Sequence, residues 1–183
     1  MLTPSRFGEA MAPYHTVRPY QPGAFPGGDA LPAPHFKVME TMNETEKLSL
    51  VIATGQTVIR MYHALDFGDY SVASRCFTPD GIWERAGSAL HGQQQILASL
   101  NKRSATLFTR HYVTNFVVFE HSGPMAKAAF SLSVYRSDKN APPTLPVGPA
   151  IPAMLADAEC ELVCNDRGDW LINRLAPVIT FAA

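Results

Sequence analysis

Asp66 and His111 are the residues whose types and positions best suit acid–base chemistry. Apolar residues recur at helical spacing as far as Tyr62, and Asp66 lies one turn further along the same side. A carboxylate there points toward the interior, where burial without a partner is costly and raises its pKa by disfavouring the charged form. It therefore needs a hydrogen-bond donor. The alternative is that Asp66 and Asp69 form a solvated turn that ends the helix.

His111 is the residue that could supply the donor. Residues 109–120 alternate like a strand, so the odd positions share one face. That face carries two polar residues, His111 and Asn115, among the apolar residues Val113, Val117 and Phe119. An apolar lining with a few polar groups is what a ligand pocket needs. The opposite face is also partly apolar and could be an oligomer interface, and the alternation alone does not decide which face is inside.

An Asp–His pair of this kind performs general acid–base catalysis. An ionised Asp66 would hold one imidazole nitrogen of His111 as a donor and leave the other as the base. Four further residues are candidates for binding a substrate: Tyr62 and Asn115 for one of its oxygens, and Trp83 and Phe119 as apolar walls. Each of the four, taken alone, is better explained as a core or rim residue than as a functional one. Proton abstraction of this kind requires no metal and no cofactor.

The elements that must position these residues begin with helices. Asn43 followed by Glu46 is a capping pattern, and it predicts a first helix that runs to about Leu65. Its apolar stripe comprises Leu48, Val51, Ile52, Gly55, Val58, Ile59 and Tyr62. The sequence also predicts a short helix over 70–76, ended by a turn at residues 79–81, and a third helix over 92–101.

Strands follow the helices. Period-two patterns predict four strands, Thr109–Glu120, Ala126–Arg136, Met154–Cys164 and Trp170–Val178, with a weaker candidate at Ile82–Arg85. Helices followed by long strands indicate an α+β fold with a mostly antiparallel sheet. Such a sheet twists strongly, and the first helix can bury its stripe against the concave face. We therefore expect a cone with a pocket inside it.

Proline marks the two irregular segments. Of the 15 prolines, seven fall in residues 1–43 and five in residues 142–152. We expect residues 1–43 to form an extended arm, which either lies over a folded core or partner subunit or is a plain flexible terminus. Residues 142–152 read as a long loop inside the domain of residues 44–183.

Composition excludes several classes of protein. The 183 residues are 46% apolar and 17% charged, with a formal net charge of −1. No stretch is long and apolar enough for a membrane span, and no basic run indicates nucleic-acid binding. The six histidines lack metal-ligand spacing. Three cysteines that cannot all pair, and no sign of a secretory signal, lead us to expect a cytoplasmic protein.

The motifs taken together resemble a known family. LDFGDYSVASRCFTPDGIW, LHGQQQIL, RHYVTNFVV and GDWLINR resemble, in that order, the SnoaL-like branch of the nuclear-transport-factor-two-like superfamily. The resemblance covers residues 44–178. It implies a cone-shaped barrel in which a strongly curved, mostly antiparallel sheet is wrapped by about three helices. It also implies a homodimer or higher homo-oligomer formed through the outer face of the sheet.

Two enzymes of that superfamily sharpen the resemblance, hexachlorocyclohexane dehydrochlorinase and scytalone dehydratase. The dehydrochlorinase spacing of two aspartates and a tryptophan is matched by Asp66, Asp80 and Trp83. Its His-x-x-Thr-Asn motif is matched by His111, Thr114 and Asn115. The resemblance therefore implies an Asp66–His111 dyad. The chain departs from that enzyme at Glu159, where the enzyme has tyrosine.

These observations favour a cofactor-independent lyase, isomerase or cyclase that acts on a small apolar organic molecule. The alternative is a non-catalytic module for small-ligand binding or assembly, a role that the same fold also has. The two hypotheses differ in what they predict. The enzyme brings Asp66 and His111 together in a pocket, whereas the binding or assembly module has a closed or solvent-filled pocket in which the two residues are apart, and it has a protein partner.

Overall fold

A computed structural model describes residues 42–85, 87–139, 141, 143–147 and 151–182. Its helices are α1 (Glu44–Asp66), α2 (Tyr70–Arg75) and α3 (Gly92–Leu100). Its strands are β1 (Phe77–Arg85), β2 (Ser88–His91), β3 (Leu107–Ser122), β4 (Met125–Asp138), β5 (Met154–Cys164) and β6 (Trp170–Ala182). The arm predicted for residues 1–43 lies almost entirely outside the described residues.

The strands form one six-stranded sheet in the order β2-β1-β6-β5-β4-β3. Every neighbouring pair is antiparallel except β1 and β6, which are parallel. The predicted α+β class with a mostly antiparallel sheet and three helices is confirmed. The sheet is open, with β2 and β3 as its two edges. Register shifts in the β1–β6, β3–β4 and β5–β6 ladders mark places where strands bend.

Helix α1 starts where the capping pattern predicts. The Asn43 side chain accepts the Glu46 N–H at 2.9 Å, and the Glu46 carboxylate accepts the Asn43 N–H at 3.0 Å. The predicted apolar stripe is partly wrong, because three of its members, Leu48, Ile52 and Ile59, are exposed. The side that packs on the sheet instead includes Leu50, Thr54, Val58, Met61, Tyr62 and Leu65.

The turn predicted at residues 79–81 is wrong, because these residues belong to β1. The β1–β6 ladder is interrupted between Phe77 and Ile82, so the strand continues through an irregular stretch. Gly81 is required there: a Cβ atom at this position would lie 2.8 Å from the carbonyl oxygen of Ile172. Close approach of two backbones, and not a chain reversal, explains this glycine.

The core lies between the helices and one face of the sheet, which we call the inner face. On β4 and β5 the buried positions alternate, and many of them are small, as at Ala126, Ala128, Ala156, Ala158 and Cys160. The predicted loop at 142–152 connects β4 to β5, and its described residues are neither helix nor strand. No described helix has the length and apolar character needed to cross a bilayer.

Candidate active site

Asp66 is the last residue of α1, where the helix meets β3. Its side chain is only 5% exposed. This is an unfavourable place for a carboxylate, because the aligned peptide dipoles put negative partial charge at the end of a helix. Asp66 is therefore held there by groups outside its own helix.

Three donors of β3 hold the Asp66 carboxylate. Its Oδ1 atom accepts a hydrogen bond from the Thr109 hydroxyl at 2.8 Å and one from Nδ1 of His111 at 2.5 Å. Its Oδ2 atom accepts the backbone N–H of His111 at 2.7 Å. Both oxygens are thus engaged, which satisfies a buried carboxylate in its charged form.

Two opposing effects, burial and hydrogen bonding, set the pKa of Asp66. Burial on its own raises the pKa, as the sequence suggests for a carboxylate without a partner. The side chain and N–H of His111 and the hydroxyl of Thr109 outweigh burial and lower the pKa below its ordinary value. Asp66 is therefore ionised at neutral pH.

The contact with Asp66 also decides which nitrogen of His111 carries a proton. An ionised carboxylate only accepts hydrogen bonds, so Nδ1 must be the donor. In the neutral ring, Nε2 is then the unprotonated nitrogen. The His111 side chain is 9% exposed, and within the described residues Asp66 is its only side-chain hydrogen-bond partner. Nε2 has no hydrogen-bond partner within the described residues.

Tyr62 fixes the plane of the imidazole. The two rings stack with centroids 5.1 Å apart and planes 26° apart, and Phe130 meets Tyr62 edge-on at 6.2 Å. Tyr62 is buried, and this burial raises the pKa of its hydroxyl well above the ordinary value. Tyr62 is therefore a neutral aromatic wall beside His111.

Two arginines support the site from its edge. Arg110 donates to the backbone oxygens of Asp66 at 3.3 Å and Thr109 at 2.7 Å, so its positive charge lies at the negative end of α1. Arg103 donates to the Thr109 hydroxyl at 2.9 Å. Sequence reasoning missed Thr109 and Arg103. Thr109 could have been found, because it lies two residues before His111 and on the same strand face.

Asn115 and Phe119 do not share the face of His111, so this prediction is wrong. Between Thr114 and Val117 the β3–β4 register shifts, and Asn115 adopts a positive φ of 55°. The bulge reverses the alternation of inward and outward side chains. Asn115 is exposed as a result. Phe119 lies among residues of the outer face, which is the face of the sheet opposite the inner one. Phe116 points inward instead and stacks on Phe130.

Trp83 lies on the inner face of β1, and only 5% of it is exposed. Its ring stacks on Phe77 at 5.8 Å, and within the described residues it makes no ring contact with Tyr62 or His111. Its buried Nε1 atom has no hydrogen-bond partner there. The structure thus places Trp83 in the core, where its ring contact is with Phe77.

Glu159 lies on the outer face, away from His111. It lines a shallow depression together with Phe119, Lys127, Cys160, Glu161 and Arg174. Burial raises the pKa of Glu159 above its ordinary value. In the part of the chain that the structure describes, no cluster of histidine, cysteine or acidic residues could hold a metal ion.

A sequence profile of the SnoaL-like domain matches residues 47–176. This range contains the whole site and runs from the first turn of α1 into β6. No curated protein matches the chain.

Solved structures share the fold. One from Catenulispora acidiphila is 24% identical and covers 74% of this chain and 94% of that chain, with a TM-score of 0.60. ActVI-ORFA from Streptomyces coelicolor is 19% identical over 72% of this chain and 98% of that chain, with a TM-score of 0.59. A ketosteroid isomerase-like protein from Erwinia carotovora atroseptica is 15% identical over 76% and 99%, with a TM-score of 0.58. The profile match spans most of the chain, which therefore belongs to the family of SnoaL-like domains.

Proposed function

We propose that the chain is a cofactor-independent enzyme in which His111 removes a proton from a carbon atom of a small, largely apolar organic molecule. The reaction class is that of a lyase, isomerase or cyclase. One observation carries the proposal: Nδ1 of His111 lies 2.5 Å from Oδ1 of Asp66, and these side chains are only 9% and 5% exposed.

The chemistry follows from the charges. Nε2 of His111 takes the proton, and the electron pair of the broken C–H bond moves onto an adjacent electron-withdrawing group of the substrate. The ring becomes an imidazolium, which the ionised Asp66 stabilises through Nδ1. The imidazolium then returns the proton to a second carbon in an isomerase, or to a leaving group in a lyase.

The surroundings of His111 support an apolar substrate. Tyr62 stacks on the imidazole and Phe130 meets Tyr62 edge-on, so the base lies beside buried aromatic rings. Exclusion of water strengthens the attraction between the imidazolium and Asp66, because the effective dielectric constant is lower than in water. Membership of the SnoaL-like family, and similarity in fold to a protein named ketosteroid isomerase-like, are consistent with carbon-acid chemistry.

Deuterium exchange tests the proposal without a known product. The protein is incubated in D2O with a panel of cyclic ketones and β-hydroxy ketones, and loss of the C–H signals is followed by proton NMR. We expect catalysed exchange with the wild type and a loss of roughly 10²–10⁴-fold in His111→Ala, since a positioned base contributes that much. Asp66→Asn should be impaired as well.

His63→Ala is the matched control, because His63 is an exposed histidine of α1 that stacks on Phe67. It should exchange like the wild type. Full exchange by a folded His111→Ala protein would contradict the role of His111. If the wild type exchanges no member of the panel while binding several of them, the non-catalytic binding module replaces the enzyme as the best account.

A further inference from the structure

Arg103 is linked to the proposed catalytic carboxylate by two hydrogen bonds. Its Nη2 atom donates to the Thr109 hydroxyl at 2.9 Å, and that hydroxyl donates to Oδ1 of Asp66 at 2.8 Å. A guanidinium has five N–H donors, so this single contact leaves most of them available. The Nε atom of Arg103 is buried and has no partner among the described residues.

Arg85, at the end of β1, reaches the end of α3, where it contacts Ser99, four residues before Arg103 in the chain. It lies two residues after Trp83, on the same side of the strand, but it is exposed where Trp83 is buried, and its guanidinium carbon is 5.0 Å from the centroid of the Trp83 ring. The guanidinium of Arg103 lies over the ring of Tyr70 in the same way, at 6.0 Å. Aromatic rings that contact the flat side of a guanidinium hold its plane and leave its N–H edge free for an oxyanion.

Neither arginine has an acidic partner in the described part of the chain. Arg174 and Arg136, in contrast, form ion pairs with Glu84 and Asp138 at 2.7 Å and 3.4 Å. Arg85 contacts the Ser99 hydroxyl at 3.4 Å, which supplies no charge. Neither guanidinium therefore forms an ion pair within the described residues, although Arg103 reaches the Asp66 carboxylate through the Thr109 hydroxyl.

The two charges are close enough to influence each other. Burial lowers the pKa of Arg85 first, and the charge of Arg103 lowers it further, while Tyr62 acts in the opposite direction. The charges of Arg85 and Arg103 therefore act on each other, and the charge of Arg85 also acts on Tyr62, which stacks on His111. A bound anion between the arginines would offset this repulsion.

We infer that Arg85 and Arg103 bind a carboxylate group of the substrate, so that the substrate is a small organic acid with an apolar body. The inference rests on the proposed function, because the bound carboxylate is taken to be part of the enzyme's substrate. The chemical reason is that two guanidinium groups match the planar, two-oxygen geometry of a carboxylate. The carboxylate binds at the arginines, and the apolar body reaches toward Tyr62 and His111.

Calorimetric titration of matched probes tests the inference. Cyclohexanecarboxylate is compared with cyclohexanecarboxamide, and 1-naphthoate with 1-naphthamide, so that each pair differs in the charged group alone. We expect at least one acid to bind the wild type tenfold or more tightly than its amide. Arg85→Gln should reduce that preference to threefold or less, and Arg167→Gln, which changes an exposed arginine of the β5–β6 turn, should keep it.

Three results would overturn the inference. They are equal binding of acid and amide by the wild type, undiminished preference in Arg85→Gln, and inorganic phosphate binding more tightly than every carboxylate. Because Arg103 also contacts Thr109, Arg85 is the informative variant. A second measurement, the Nε–H signals of arginine in a nitrogen-15 NMR spectrum, should show Arg85 shifting with the acid and not with the amide.

The same titration separates this inference from the proposed function. His111→Ala lacks the base but keeps both arginines, so it should retain the tenfold preference for the acid. Retained preference together with unchanged deuterium exchange would remove the catalytic role of His111 and leave the carboxylate site intact. Suppose instead that Arg85→Gln loses the preference for the acid but still exchanges uncharged ketones. That result would support both the carboxylate site and the proposed function.

Discussion

The two faces of the sheet carry acid–base contacts of similar length in different surroundings. On the inner face, Asp66 meets His111 at 2.5 Å, with side chains 5% and 9% exposed. On the outer face, Glu84 meets Arg174 at 2.7 Å, with both side chains 35% exposed. Distance alone does not separate the two.

Burial and the number of donors do separate them. The Asp66 carboxylate accepts three hydrogen bonds from β3, whereas in the described residues Glu84 is bound by Arg174 alone. An exposed ion pair gains little, since water screens it and two long side chains must be ordered. A buried carboxylate that keeps its charge needs its donors, so removing any of them is costly.

Removing the charge of Asp66 should have the largest effect on stability. In Asp66→Asn the side-chain amide cannot accept all three hydrogen bonds, and at least one buried donor loses its acceptor. We expect a loss of about 2 kcal/mol in the free energy of unfolding, measured by urea titration at neutral pH. A loss no greater than that of Glu84→Gln would contradict the distinction between the two faces.

The stability difference between the wild type and Asp66→Asn should also depend on pH. The pKa of Asp66 in the folded chain lies below its ordinary value of 3.8. Its contribution is therefore fully present above pH 3.8 and is lost as the pH falls through the folded pKa. Urea titrations of both proteins from about pH 5 to about pH 3 measure the difference. A stability difference between the two proteins that grows as the pH falls would show that the pKa of Asp66 is raised in the folded chain and not lowered.

Thr109→Val should have an intermediate effect. Valine keeps the shape of threonine but leaves Asp66 without one donor and Arg103 without an acceptor. We expect a loss of about 1 kcal/mol in the free energy of unfolding and a higher pKa for Asp66. Thr109→Ser is the control, because it keeps the hydroxyl. Equal stability of the valine and serine variants would mean that the hydroxyl does not hold the carboxylate.

Breaking the outer ion pair should have the smallest effect. Glu84→Gln should change the free energy of unfolding by about 0–1 kcal/mol, and added salt should reduce that difference. The urea titration is repeated at low and high salt. A loss comparable to that of Asp66→Asn would show that exposure does not govern the strength of these contacts.

Much of the fold could be predicted from sequence, because it follows local periodicity. β5 has the predicted bounds, and α1 starts at the predicted cap and ends one residue beyond the prediction. The contact of Asp66 with a donor on the neighbouring strand follows from two periodicities, a helical one that includes Tyr62 and a strand one that includes His111. The strand alternation holds from Thr109 to Thr114, where the first register shift begins.

What could not be predicted depends on departures from periodicity and on tertiary contacts. The bulge at Asn115 reverses the faces of β3, and one positive φ in a strand leaves only a weak trace in the sequence, namely asparagine among branched residues. The exposure of Leu48 and Ile52 on α1 was hidden because that helix has apolar residues on two sides. The contact of Arg85 with Ser99 joins β1 to the end of α3, and no local pattern relates these two segments.

The protonation of the His111 ring tests the central claim most directly. A long-range proton–nitrogen NMR spectrum of labelled protein at about pH 8 distinguishes a protonated ring nitrogen from an unprotonated one. We expect His111 to carry its proton on Nδ1 and to present an unprotonated Nε2, because Asp66 accepts from Nδ1. A proton on Nε2 with Nδ1 bare would contradict the account, since the nitrogen assigned as the base would already be occupied.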